Sequence, residues 1–164
     1  RFDENKNPLL LIEAARLLKE ETNDFHINFL GKGMLESKMR ALIKEYNLEE
    51  NISIVGYKSN PYPYIKMCDI FCLTSVNEGF SNVIIEAVHF HKPFVSTNVG
   101  IVNEIKQFNV GKVASTPEEI SYEIHNMLIN NEQYNIMVKN CKKIENKFSI
   151  ENQAENLGKV IEEL

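Results

Sequence analysis

Apolar positions along this chain switch repeatedly between two spacings. Leu9 to Glu21 (LLLIEAARLLKEE) repeats them at helical spacing, with Pro8 suited to the first turn. Phe25 to Leu30 alternates apolar and polar residues, as a strand does, and runs into Gly31-Lys32-Gly33. The pattern then predicts a helix from about Met34 to Tyr46, and a strand from Asn51 to Val55 closed by Gly56 and a loop, Tyr57 to Asn60. A short helix from Pro61 to Met67 leads to an apolar strand, Asp69 to Leu73, then to a polar loop and a helix opened by Ser81 or Asn82. Lys92 to Thr97 reads as another strand, followed by a short helix ending near Phe108, and Val110 to Ala114 as a last strand or an edge. Thr116-Pro117-Glu118-Glu119 is a helix start with acids in its first turn. From there to Leu164 the pattern predicts two or three helices, broken near Asn130-Asn131 and Phe148-Ser149. Strict alternation of strand and helix implies an α/β fold with a parallel sheet covered on both faces. Ligands in such sheets sit at the carboxyl ends of the strands, where Gly31, Gly33, Gly56, Tyr57 and the Glu78 to Asn82 loop all fall.

The stretch CLTSVNEGFSNVIIEAV, Cys72 to Val88, carries the densest chemistry. Its helix starts with free amides and the positive end of a dipole, a combination that suits an anion such as a diphosphate. Two acids bracket that point, Glu78 before the helix and Glu86 within it. A carboxylate beside an anion is unfavourable unless it accepts hydrogen bonds, and sugar or ribose hydroxyls are the usual donors. The pair therefore points to a nucleotide-sugar. Hydrolysis of a glycoside is excluded by the same spacing, because that reaction sets two carboxylates face to face, about 5 to 9.5 Å apart, usually from different elements. Taken singly, Glu78 reads as a solvated loop charge and Glu86 as a helix surface residue. The apolar company of Glu86 (Val83, Ile84, Ile85, Ala87, Val88) argues instead for a cleft-facing position. The Gly31-Lys32-Gly33 element allows close backbone approach but lacks the rest of a dinucleotide fingerprint.

Composition narrows the field further. A chain of 164 residues, 43% hydrophobic and 25% charged, makes one domain with a proper core. A net charge of −5 argues against general nucleic-acid binding, and no apolar run is long enough for a membrane span. Cys68, Cys72 and Cys141 are odd in number and unpaired in pattern, as expected of buried thiols in a reducing cytoplasm. His26, His89, His91 and His125 are scattered, and no metal site is expected. The chain opens on a polar stretch, Arg1 to Pro8, with no strand ahead of its first helix. An upstream strand and a partner domain are therefore expected in a longer protein.

Arg1 with Lys6-Asn7, LGKG at Leu30 to Gly33, ISIVGY at Ile52 to Tyr57, MCDIFCLTSVNEGFSNVIIEAV at Met67 to Val88 and KPFVSTNVG at Lys92 to Gly100 together resemble the carboxyl-terminal half of retaining glycosyltransferases of family 4. The likeness covers about Arg1 to Gly111, and its most specific part is the two glutamates, Glu78 and Glu86, with seven residues between them, together with Gly79-Phe80. It implies a GT-B enzyme of the hexosyltransferase class, whose two Rossmann-like domains face each other across a cleft, this chain being the donor-binding one. Arg1 and Lys6 would hold the diphosphate of a UDP-sugar, an N-acetylhexosamine being one candidate, and the amides of Phe80, Ser81, Asn82 and Val83 would assist. Glu86 would bond the ribose, Glu78 the hexose, and Gly56 and Tyr57 would border the base. The likeness implies a metal-independent reaction in polysaccharide or glycolipid assembly, with a glycan or lipid-linked acceptor bound by the absent domain. It also implies a cytoplasmic enzyme docked peripherally at the inner face of the membrane, and an isolated half that binds donor but hardly turns over. Two positions depart from the family pattern: His91 stands where Gly is common, and Ile101 where a second Gly follows Gly100. Two other readings share the fold, a nucleotide-sugar epimerase, which would need acid/base residues not found here, and a noncatalytic interaction module.

Overall fold

The structure is a computed structural model and describes residues 1–144. Its elements follow the predicted alternation: α1 (Pro8–Glu21), β1 (Ile27–Leu30), α2 (Glu36–Glu45), β2 (Ile52–Gly56), α3 (Tyr62–Met67) and β3 (Phe71–Leu73). They continue with α4 (Asn82–His89), β4 (Phe94–Ser96), α5 (Val102–Ile105), a 3-10 turn (Lys106–Phe108), β5 (Gly111–Val113), α6 (Pro117–Ile129) and α7 (Asn131–Ile144). Val110 to Ala114 thus resolves as a true strand, and Asn130 is the break between the last two described helices. The second expected break, at Phe148-Ser149, lies outside the described residues.

Every pairing is parallel: β1 with β2, β3 with β4, and β4 with β5. The expected single sheet is instead two groups, β1-β2 and β3-β4-β5. The segment Arg1 to Asn7 links their carboxyl ends. Phe2 N–H donates to the Lys32 carbonyl (3.0 Å) and Leu35 N–H to the Phe2 carbonyl (3.1 Å), while Val76 N–H donates to Asn5 (2.7 Å) on the other side. Thr74 Oγ1 adds a bond to the Asn7 carbonyl (2.9 Å).

Both faces are covered, as predicted. Phe94 and Val95, neighbours pointing to opposite faces of β4, are 0% and 1% exposed. Val95 joins Phe29, Ile12, Leu18, Met39 and Ile120 in one apolar cluster, and Phe94 joins Ile84, Val88, Val102 and Ile105 in the other. α6 starts with a capping box, in which Thr116 Oγ1 accepts from Glu119 N–H (3.2 Å) and the Glu119 carboxylate accepts from Thr116 N–H (3.3 Å).

Strands run shorter than their patterns because competing groups claim the ends. The Phe25 carbonyl accepts from the Asn51 side chain (3.2 Å) and the Asp69 carbonyl from the Tyr134 hydroxyl (3.0 Å), so neither residue enters a ladder. Lys92 N–H caps α4 by donating to Ala87 (2.9 Å), and Pro93 has no N–H to give. His91 occupies the left-handed region (φ 59), the reason a glycine suits that place, while Ile101 is buried (4% exposed) and fills the second apolar cluster. Of the three thiols only Cys141 is fully buried. Cys68 and Cys72 are half-buried, a correction to the expectation, and burial pushes the thiols of Cys72 and Cys141 up to about 12.

Candidate functional site

The strand ends gather the candidate residues on one rim. Gly31 follows β1 directly, and its N–H donates to the carbonyl of Gly56, the last residue of β2, at 3.0 Å. Gly31 takes φ 139 and Gly56 φ 82, conformations that side chains resist. Gly33 is packed against the backbone of Phe2, and a Cβ there would lie 2.3 Å from the Phe2 carbonyl oxygen. Tyr57 stands out from the rim, 66% exposed.

Lys6 and Glu78, to which the likeness gives separate tasks, are paired with each other. The Lys6 ammonium donates to Glu78 Oε1, which also accepts from the Ser75 hydroxyl at 2.7 Å. The side chains are 28% and 15% exposed. Burial alone would raise the Glu78 pKa, but the hydrogen bonds from Lys6 and Ser75 outweigh it and hold the carboxyl below its ordinary 4.5. Ser75 is itself pinned, its carbonyl accepting from Thr97 Oγ1 at 2.6 Å. Arg1 is exposed and pairs with Asp3 (3.1 Å), not with Glu78 or Glu86. Sequence reasoning passed over Ser75, Asp3 and Thr97; the hydroxyl three residues ahead of Glu78 was the available signal.

At the start of α4 the amide picture needs two corrections. Asn82 N–H is taken by the Phe80 carbonyl (3.1 Å), so it is not offered outward. Ser81 is the N-cap, but its side chain makes no cap bond, and its buried Oγ has no partner among the described residues. Gly100 adopts φ 51 nearby, and a Cβ added to it would lie 3.3 Å from Ser81 Oγ. The amides of Phe80, Ser81 and Val83 make no hydrogen bond to another described residue. Gly79 borders open space, and Phe80 is 46% exposed. Glu86 is half-buried and its carboxylate has no hydrogen-bond or ion-pair partner among the described residues, while Ile84, Ala87 and Val88 on the same helix are fully buried. No group of three His, Cys, Asp or Glu residues that could hold a metal occurs among the described residues, and no described helix is long and apolar enough to cross a membrane.

The Lys6–Glu78 pair carries a pH prediction. A carboxyl held below its unfolded value contributes stability that is present in full above 4.5 and is lost as pH falls through the folded value. Urea unfolding of the wild type is therefore expected to weaken more steeply on acidification than that of Glu78→Gln. Equal slopes for the two proteins would remove the pair from the account.

Known proteins resemble this chain in sequence and in fold. A family model described as glycosyl transferases group 1 matches residues 1–144. The N-acetylgalactosamine-N,N'-diacetylbacillosaminyl-diphospho-undecaprenol 4-alpha-N-acetylgalactosaminyltransferase of Campylobacter jejuni is 47% identical over 88 residues, 54% of this chain and 23% of that protein. An uncharacterized glycosyltransferase of Methanocaldococcus jannaschii is 30% identical over 169 residues, 99% of this chain and 46% of that protein. Among solved structures, HepE of Anabaena in complex with UDP superposes with a TM-score of 0.89 at 18% identity, over 100% of this chain and 47% of that one. The pneumococcal O-GlcNAc transferase GtfA in complex with UDP and GlcNAc gives 0.86 at 19% identity, over 99% and 34%. These likenesses show the fold, the Rossmann-like carboxyl-terminal half of a GT-B glycosyltransferase, and the chain spans less than half the length of each of these four proteins. Since the family model runs from Arg1 to the end of the last described helix, the chain belongs to the group 1 glycosyl transferases.

Proposed function

We propose that this chain is the donor half of a retaining glycosyltransferase that moves a hexose, an N-acetylhexosamine being one candidate, from UDP to a glycan or lipid-linked acceptor in polysaccharide or glycolipid assembly. The observation that supports this most is the juxtaposition at the rim: a Lys6–Glu78 pair beside the start of α4, where the amides of Phe80, Ser81 and Val83 are unspent. Negative charge grows on the leaving diphosphate as the glycosidic bond breaks. Cations at Arg1 and Lys6 and oriented amides stabilise that charge, with no metal required. Glu78, ionised and held by Lys6 and Ser75, accepts from the hexose hydroxyls. Glu86 accepts from the ribose, and Gly56 and Tyr57 border the base. In front-face attack the departing phosphate oxygen takes the acceptor's proton, so no protein base is required.

The acceptor belongs to a second domain of the longer enzyme, in keeping with relatives of more than twice this length. Cytoplasmic UDP-sugar and a lipid-linked acceptor place the reaction at the inner face of the membrane, where the enzyme docks peripherally. The Campylobacter relative's name specifies an undecaprenol-linked substrate.

Calorimetry with UDP and a panel of UDP-sugars tests the reading. Wild type is expected to bind UDP, and Glu86→Ala to lose about 1–3 kcal/mol of that affinity, the scale of one lost hydrogen bond to a charged group. Binding of no member of the panel overturns the proposal.

A further inference from the structure

We infer that Lys32 selects the base of the nucleotide, favouring a pyrimidine whose outer ring edge carries a carbonyl (uracil) over one that carries an amino group there (cytosine). The inference rests on the donor reading above and extends it to a residue that neither spacing nor family likeness gave a role.

Lys32 is held from two sides at the carboxyl end of β1. Its carbonyl accepts from Phe2 N–H at 3.0 Å, and the preceding Gly31 N–H donates to Gly56 at 3.0 Å. From that fixed base its side chain crosses to β2, where the ammonium stands 5.5 Å from the centre of the Tyr57 ring. Cation and ring thus attract each other and share one orientation. Around them the rim is open and apolar: Tyr57 is 66% and Met34 82% exposed, and no atom lies within 4 Å of a would-be Cβ on Gly56. There is room for a ring to lie on the tyrosine.

The rest of the rim gives the nucleotide a direction. The backbone nitrogen of Arg1 would lie 3.3 Å from a Cβ on Gly31, so the segment bearing Arg1 and Lys6 begins where the Lys32–Tyr57 platform ends. Lys6 then meets Glu78 ahead of α4. Aromatic platform, cations, carboxylate and helix start follow one another as base, diphosphate and sugar do in a nucleotide-sugar.

Chemistry decides which base fits. The Lys32 ammonium has no ion-pair or hydrogen-bond partner among the described residues, so it keeps all three donors. An ammonium has no acceptor to offer. Uracil and cytosine match in ring size and in their 2-carbonyl; at the 4-position uracil carries an accepting carbonyl and cytosine a donating amino group, while at N3 the roles reverse. A donor-only group facing the 4-position bonds the first and opposes the second.

The test is calorimetry of the whole chain with UDP and CDP, on wild type, Lys32→Met and Lys32→Arg. Wild type is expected to prefer UDP by about tenfold or more, the worth of one charged hydrogen bond. Lys32→Met keeps the stem and loses the donors; its UDP affinity is expected to fall until the two nucleotides bind alike, whereas Lys32→Arg retains the preference. A wild type that binds both equally, or a preference that survives Lys32→Met, overturns the inference. If UDP binds and Glu86→Ala weakens it while the UDP-to-CDP ratio ignores position 32, the role of Lys32 alone fails. If neither nucleotide binds wild type, the donor reading fails with it.

Discussion

Gly33→Ala is expected to weaken UDP binding by about a hundredfold, the scale at which a misplacement of one ångström acts on an aligned site. The added methyl would lie 2.3 Å from the Phe2 carbonyl oxygen and 2.7 Å from its backbone carbon and nitrogen. Backbone cannot turn aside as a long side chain can. Phe2 is moreover fixed by its bonds to Lys32 and Leu35 and by its ring, which is 2% exposed and meets Phe29 edge-on at 6.4 Å. The clash is relieved only by lifting the Arg1 to Asn7 segment, which withdraws Lys6 from Glu78 and both cations from the rim. Overpacking of this kind costs about 1–3 kcal/mol of stability, so the protein should remain folded while losing its ligand. Calorimetry with UDP alongside urea unfolding separates the two effects. Wild-type affinity in Gly33→Ala would show that this packing does not place the cations.

Phe94→Ala should produce the largest stability loss, about 3–5 kcal/mol in urea unfolding. Phe94 is wholly buried on β4 and pairs in register with Gly111, whose would-be Cβ lies 2.6 Å from the Phe94 ring. The ring thus occupies the space that the missing side chain leaves, and Ile84, Val88, Val102 and Ile105 close around it. Emptying that volume leaves a cavity that neither a rigid parallel strand nor the glycine opposite can fill. A loss below about 1 kcal/mol would mean that the second apolar cluster is looser than its burial implies.

By itself the sequence determined the alternation of elements, because period and punctuation are local: the Leu9 to Glu21 helix, the β-strand cores and the α6 start all stand where spacing and turn residues put them. It also brought Gly31, Gly56 and the Glu78 loop to the strand carboxyl ends, since parallel strands joined by helices leave no other place for them. Partnerships were beyond its reach. That Lys6 meets Glu78 across 72 positions, that the Asn82 amide is spent on Phe80, and that Gly100 packs beside a Ser81 whose buried hydroxyl has no partner among the described residues all arise from contacts distant in sequence or from the course of the backbone. The division of the strands into two groups belongs to the same class, because strand order is a property of neighbours in space. Spacing along a chain limits which groups can share a rim; only the packing of the whole chain assigns each donor its acceptor.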